Sequence, residues 1–197
     1  MDLKHFGDSY DIVKRSLLDW LSDFGPWGAH PMFTHSVTES EAAAFERFLG
    51  VALVSTDVLE ADSDRQSCLS PCAGFRSIFV DPDTGVRLKR HSARNQACFI
   101  FADELVVLAT KRPDGLVLAF DQSLRRGEER QDVASKLDYF RKQGVHAFAY
   151  ISHASFLVLG RSNTLVTEAL AQLLHRSGLP GRRILSPFET ATVTGAA

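Results

Sequence analysis

Ile78-Phe79-Val80-Asp81-Pro82-Asp83-Thr84-Gly85 reads as a buried strand that stops on two carboxylates separated by one proline. Thr84 and Gly85 then supply a turn. A short apolar run bounded by turn residues has the pattern of a strand covered on both faces, as in a parallel sheet with helices on either side. In such α/β proteins, ligands and catalytic groups gather outside the carboxyl ends of the strands. A strand that ends in Asp-x-Asp is therefore the place to look for a site.

The same pattern recurs outward from this stretch. Leu116 to Phe120 is the clearest buried strand and ends at Asp121, followed by Gln122, Ser123 and Arg125. Val145 to Ile151 ends at Ser152 and His153, and Ser155 to Leu159 reads as its hairpin partner. Shorter strands are expected at Ala29 to Thr34 (Pro31 pointing to a sheet edge or a late start), at Val51 to Ser55 as a buried strand, at Ala97 to Phe101 and at Ile184-Leu185.

Helices fill the gaps. Asp8 caps one with a stripe at Ile12, Val13, Leu17, Leu18 and Leu21. Thr38-Glu39-Ser40-Glu41 is a capping box ahead of Ala42 to Leu49, with Gly50 as the stop. Ala102 to Thr110, Gln131 to Gln143 and Thr164 to Ser177 follow. Residues 56 to 74 read as a long surface loop and 187 to 197 as a flexible tail. Alternation of strand and helix predicts one α/β domain over residues 1 to 186. The expected architecture is a three-layer Rossmann-like domain, mostly parallel, with an antiparallel edge pair.

With 197 residues the chain is long enough for one real core. Its formal net charge of -2 argues against a dedicated nucleic-acid binder, which carries a basic excess. Fourteen phenylalanines against three tyrosines point to an aromatic core. Three cysteines without a repeated spacing suit free thiols in a reducing compartment. No run reaches the ~18 apolar residues of a membrane span, and the N-terminus lacks a secretory core, so the expected location is the cytoplasm.

If the strands ending at Asp81, Asp121 and His153 are parallel, their ends share one sheet edge. Carboxylates brought together repel unless a cation or proton lies between them. Asp81, Asp83 and Asp121 are thus candidate ligands for Mg²⁺ or Mn²⁺, with His153 and Asp83 as candidate catalytic groups. His30 and Thr34 could join from the strand near residue 30. Arg125, Arg90 and Thr84 are candidate contacts to a phosphate-containing substrate, within a basic run of Arg87, Lys89, Arg90, His91 and Arg94. Plain alternatives exist, since Asp after a strand also caps helices and builds turns, and a basic run is commonly a solvated face.

Cys68, Cys72, Cys98 and His91 have the count of a Cys3His zinc set but no recognised spacing. Ser152-His153 is a poor dyad, because neighbouring side chains in a strand point apart. No Gly-x-Gly-x-x-Gly, P-loop or Gly-x-Ser-x-Gly motif is present, so no nucleotide cofactor motif can be assigned.

Taken together, the Asp81-Pro82-Asp83-Thr84-Gly85 turn, the strand ending in Asp121-Gln122-Ser123 and the Ser152-His153 step resemble those of uncharacterised bacterial and phage α/β proteins, from residue 27 to 185. That resemblance implies an architecture and a site location and no particular reaction. Asp81-Pro82 also resembles the Asp-Pro-Pro-Tyr step of amino-methyltransferases, which follows a strand and holds the target amine. Asp83 and Thr84 replace that motif's second proline and aromatic, and no glycine-rich cofactor loop precedes them. The leading expectation is a metal-dependent phosphoester hydrolase of nuclease or nucleotide-phosphoesterase type. The alternatives are a methyltransferase-like domain, active or degenerate, and a non-catalytic interaction protein.

Overall fold

The computed structural model describes residues 1, 3–90 and 96–187. Its centre is a seven-stranded mixed sheet. In chain order the strands are β1 (Trp27–His30), β2 (Ala52–Leu53), β3 (Ser77–Val80), β6 (Leu116–Asp121), β7 (His146–Tyr150), β8 (Ser155–Gly160) and β9 (Ile184–Leu185). β4 (Gly85–Arg87) and β5 (Phe99–Phe101) form a separate parallel pair. The helices are α1 (Ser9–Trp20), α2 (Glu39–Leu49), α3 (Arg65–Leu69), α4 (Ala102–Thr110), α5 (Glu129–Lys142) and α6 (Asn163–Ser177).

Across the sheet the order is β2-β1-β3-β6-β8-β7-β9. β2, β1, β3 and β6 are mutually parallel. β8 runs antiparallel to both β6 and β7, so β7 points the same way as β6. The carboxyl ends of β3, β6 and β7 therefore do lie on one edge. The hairpin expected near the sheet margin forms by folding β8 back between β6 and β7, and β9 adds outside β7, antiparallel to it.

Two apolar cores, one per face, complete the three layers. Phe79, Leu118, Phe120, Phe148 and Phe156 meet α1, α2 and α6 on one side. Ile78, Val80, Val117, Ala119 and Leu157 meet α4 and α5 on the other. Strand alternation produces this division: odd and even residues of β3 serve different layers. Burial of whole phenylalanine and leucine side chains, about 1.5–3 kcal/mol each, is what holds the layers together.

Two short strands differ from expectation. β1 runs from Trp27, starts earlier than expected, and lies inside the sheet between β2 and β3 and not at its edge; it stops at His30, because Pro31 has no amide to continue the ladder. The segment expected as a buried strand at residues 51 to 55 is the two-residue edge strand β2, and neither Ala52 nor Leu53 is buried. The expected loop at 56 to 74 contains α3 and a 3-10 turn. Of the expected tail only Pro187 is among the described residues. No helix of the described residues is long and apolar enough to cross a membrane.

Candidate functional site

Topology picks out one position on the edge. From β1 the chain crosses to β2 through α2, on the first face; from β3 it crosses to β6 through α4, on the second face. β1 and β3 are neighbours whose connections leave in opposite directions, which opens a crevice beyond their carboxyl ends. Asp81 sits at that seam, its backbone N–H donating to the His30 carbonyl at 3.0 Å.

Asp81 is 1% exposed and takes its charge partner from α1. Lys14 Nζ donates to Asp81 Oδ2 at 2.8 Å and to Asp11 Oδ1 at 2.9 Å. Lys14 and Asp11 are buried as well. Two buried carboxylates thus share one ammonium, which leaves one negative charge in excess. Burial holds the Asp81 carboxyl above its ordinary range, against the pull of Lys14. Burial on its own would lower the Lys14 ammonium, but Asp81 and Asp11 together keep it above its usual value. Asp81 Oδ1 has no hydrogen-bond partner, one of two such buried side-chain atoms among the described residues; the other is Arg112 Nε.

A cavity of about 310 Å³ lies over this group. Asp8, Asp11, Asp81 and Asp83 contribute to its lining and outnumber its cations, Lys14 and the Met1 amino group. Asp8 is committed to the N-terminus of α1, accepting from the amides of Tyr10 and Asp11. Tyr10 and Phe120 supply aromatic walls, and Lys14 Nζ lies 4.7 Å from the Phe120 ring centre. A larger cleft of about 880 Å³, near Gly25 and Phe48, lies away from all these groups. It contains neither of the unpartnered buried atoms, so volume alone is a poor guide here.

Asp121 occupies the opposite face. Phe79 pairs with Leu118 and Val80 with Ala119, so continuing the register sets Asp81 beside Phe120 and Asp121 one step further on. The pleat then turns Asp121 towards α5. Lys136 Nζ meets its Oδ2 at 2.5 Å, while Oδ1 accepts from the amides of Val86 and Ser123 at 3.0 and 3.1 Å and lies 2.7 Å from Ser123 Oγ. Both carboxylate oxygens are in use. Gly85 exists for this contact: its φ is +135°, and a Cβ there would stand 2.5 Å from Asp121 Oδ1.

The three carboxylates expected around one ion are therefore not brought together. Among the described residues no group of three or more His, Cys, Asp or Glu is placed to hold a metal ion. Asp83 is exposed at the cavity rim, and with burial it pushes the Cys98 thiol up. Thr84 is held by its backbone, donating to the Cys98 carbonyl and accepting from Gln122 N–H.

The remaining expected residues are dispersed. His153 is exposed and sets its ring 5.3 Å from that of Tyr10, outside the cavity lining. Arg125 pairs with Asp132 and Glu128 on the α5 side. Arg90 pairs with Asp103 and Glu104 and lies over Phe101. Thr34 bonds the Met1 carbonyl and meets the His35 ring, outside the cavity lining. His30 is neutralised by burial; its Nδ1 accepts from Met32 N–H, so Nε2 carries the proton offered to the Cys68 carbonyl. Cys68, Cys72 and Cys98 are free thiols, and burial drives Cys72 up to about 11. His91 and Arg94 lie outside the described residues.

Reading strand ends alone missed Asp11, Lys14 and Lys136. A signal was there. Asp11 and Lys14 fall in register with Leu17, Leu18 and Leu21, and Lys136 with Val133, Leu137 and Phe140. A charge on the apolar stripe of a helix must find a buried partner. Comparison with protein-family models, with curated proteins and with solved structures gave no match to this chain.

Proposed function

We propose that this chain is a ligand-binding α/β domain whose site is the crevice at the β1–β3 seam, and that it takes a small organic cation bearing N–H donors, a primary amine or a guanidinium. One observation carries the reading: two buried carboxylates share Lys14, and Asp81 Oδ1 is left without a partner beneath an acidic cavity. An N–H donor with a positive charge supplies both the missing hydrogen bond and the missing charge. Tyr10 and Phe120 line the same cavity, and an aromatic wall suits a cation.

The reading agrees with what the amino-methyltransferase resemblance implies for Asp81, a carboxylate that holds an amine. Methyl transfer itself has less support. After β1 the chain continues Pro31-Met32-Phe33, with Met32 and Phe33 fully buried, in place of a glycine loop that would admit a cofactor.

Thermal denaturation with agmatine as probe tests the proposal, because a ligand at about a hundred times its Kd adds ~2.7 kcal/mol of stability. The expected result is stabilisation that Asp81→Asn abolishes; no stabilisation by agmatine or by other primary amines overturns it. Adenosylmethionine in a parallel arm reports on the methyltransferase alternative.

A second reading retains the metal-dependent phosphoester hydrolase, with Mg²⁺ or Mn²⁺ as the ion. Its support is that Asp81 and Asp83, both carboxylates of the turn, line one cavity together with Asp8 and Asp11. Stabilisation by Mn²⁺ or Mg²⁺ that is lost in both Asp81→Asn and Asp83→Asn would favour it over the amine reading. No stabilisation by either ion would remove it.

A further inference from the structure

The net charge of -2 conceals two opposite patches on one sheet edge. On the α1 side lies the acidic cavity. On the α5 side lies a cleft of about 470 Å³ lined by Arg87, Lys89, Arg125 and Lys136. Arg125 is paired with Asp132 and Glu128 and Lys136 with Asp121, so among the described residues Arg87 and Lys89 are the cations of this cleft without a carboxylate partner. We propose that this second cleft is a binding site for a phosphate-type oxyanion, separate from the Asp81 crevice.

Several details favour an oxyanion over a merely solvated basic face. The cations come from three segments: Arg87 from β4 with Lys89 just after it, Arg125 from the loop beyond β6, and Lys136 from α5. Arg87 and Lys89, unpaired beside Arg125 and Lys136, keep a surplus of positive charge that a bound anion relieves. Arg87 is pre-ordered, its guanidinium lying 3.8 Å from the centre of the Phe99 ring. A stacked guanidinium keeps its N–H edge for a planar or tetrahedral oxyanion. Lys136 is anchored beneath the cleft by Asp121 and Ser123, which fill two of its three donor directions. The lining hydroxyls of Ser123 and Ser135 donate to the Val86 and Gln131 carbonyls, so the cations supply the donors for the anion.

The shared chemistry is a phosphoryl group, whether free phosphate or the phosphate of an organic monoester. Calorimetry at low ionic strength, with inorganic phosphate in one arm and adenosine monophosphate in the other, tests the site. Amide chemical shifts locate the binding. The expected result is saturable binding of phosphate that perturbs Val86, Ser123 and Lys136 and weakens at least tenfold in Arg87→Gln/Lys89→Gln. Asp81→Asn leaves it unchanged, so failure here is distinguishable from failure of the amine site. Tighter binding of the monophosphate with the same sensitivity to the variants assigns the cleft to an organic phosphate, and equal binding assigns it to the free anion. Lys89→Gln alone, at an exposed side chain, covers the case in which Arg87→Gln disturbs the fold. Absence of saturable binding, or equal affinity in the wild type and the double variant, overturns the proposal.

Discussion

Asp81 and Asp121 are built alike and finished differently. Each ends a buried strand, each is 1% exposed, and each pairs with a lysine from the apolar stripe of a flanking helix. Asp121 has one lysine to itself, two backbone amides and a serine hydroxyl close by. Asp81 shares its lysine with Asp11 and keeps one oxygen without a partner. A fully satisfied buried carboxylate braces the fold. One left short of charge and hydrogen bonds is the basis for the ligand proposed above.

The largest expected effects come from removing the lysines. Lys14→Met strands two buried carboxylates and Lys136→Met strands one, so each costs about 3–5 kcal/mol, with Lys14 the worse. Urea denaturation measures both, and a loss below ~1 kcal/mol for either would mean that its pair contributes little.

Gly85→Ala comes next. The backbone conformation alone costs about 1–3 kcal/mol at a φ of +135°, and the added methyl meets Asp121 Oδ1. Wild-type stability in this variant would remove Asp121 from its bracing role.

Asp81→Asn and Asp121→Asn separate the two aspartates most directly. At Asp121 the change leaves Lys136 buried without its counter-ion, at about 2–4 kcal/mol. At Asp81 it removes the excess negative charge while Asp11 still serves Lys14, so stability stays within ~1 kcal/mol of wild type. Equal losses would erase the distinction between a brace and a site.

The pH dependence follows the same contrast. Burial raises Asp81 above its ordinary 3.8, so the native state holds a proton that the unfolded chain has already released. Stability from this group is therefore present below 3.8 and declines as pH rises from there through the elevated folded value. In Asp81→Asn that decline disappears. An unchanged slope in denaturation curves taken across the acidic range would assign the titration elsewhere.

The smallest effect is expected at His153. Its exposed ring touches Tyr10, and His153→Ala should shift stability by no more than about 0.5 kcal/mol. A large loss of any phosphoesterase activity in that variant would instead support the hydrolase reading.

Much of this was legible in the linear chain. Apolar runs, caps and glycine stops marked β3, β6, the β7–β8 hairpin and α2, and their alternation predicted the layered fold. The weak elements were those that pattern describes poorly: β2 is two residues long, and β4, which the pattern did not mark, is three residues held by pairing with β5, which it did. The site was half legible. Strand-end position singled out Asp81 and placed Asp83 on the same cavity, but it grouped Asp121 with them.

By itself, the sequence determined that carboxylates stand at strand ends and that charges interrupt the apolar stripes of two helices. Those are local facts, set by spacing along the chain. Only the tertiary structure decided which helix lies on which face and in what register β3 meets β6. In a pleated sheet one residue of offset reverses the face to which a side chain points. That single step sends Asp121 to a lysine of its own and leaves Asp81 at the β1–β3 seam with an oxygen unpaired.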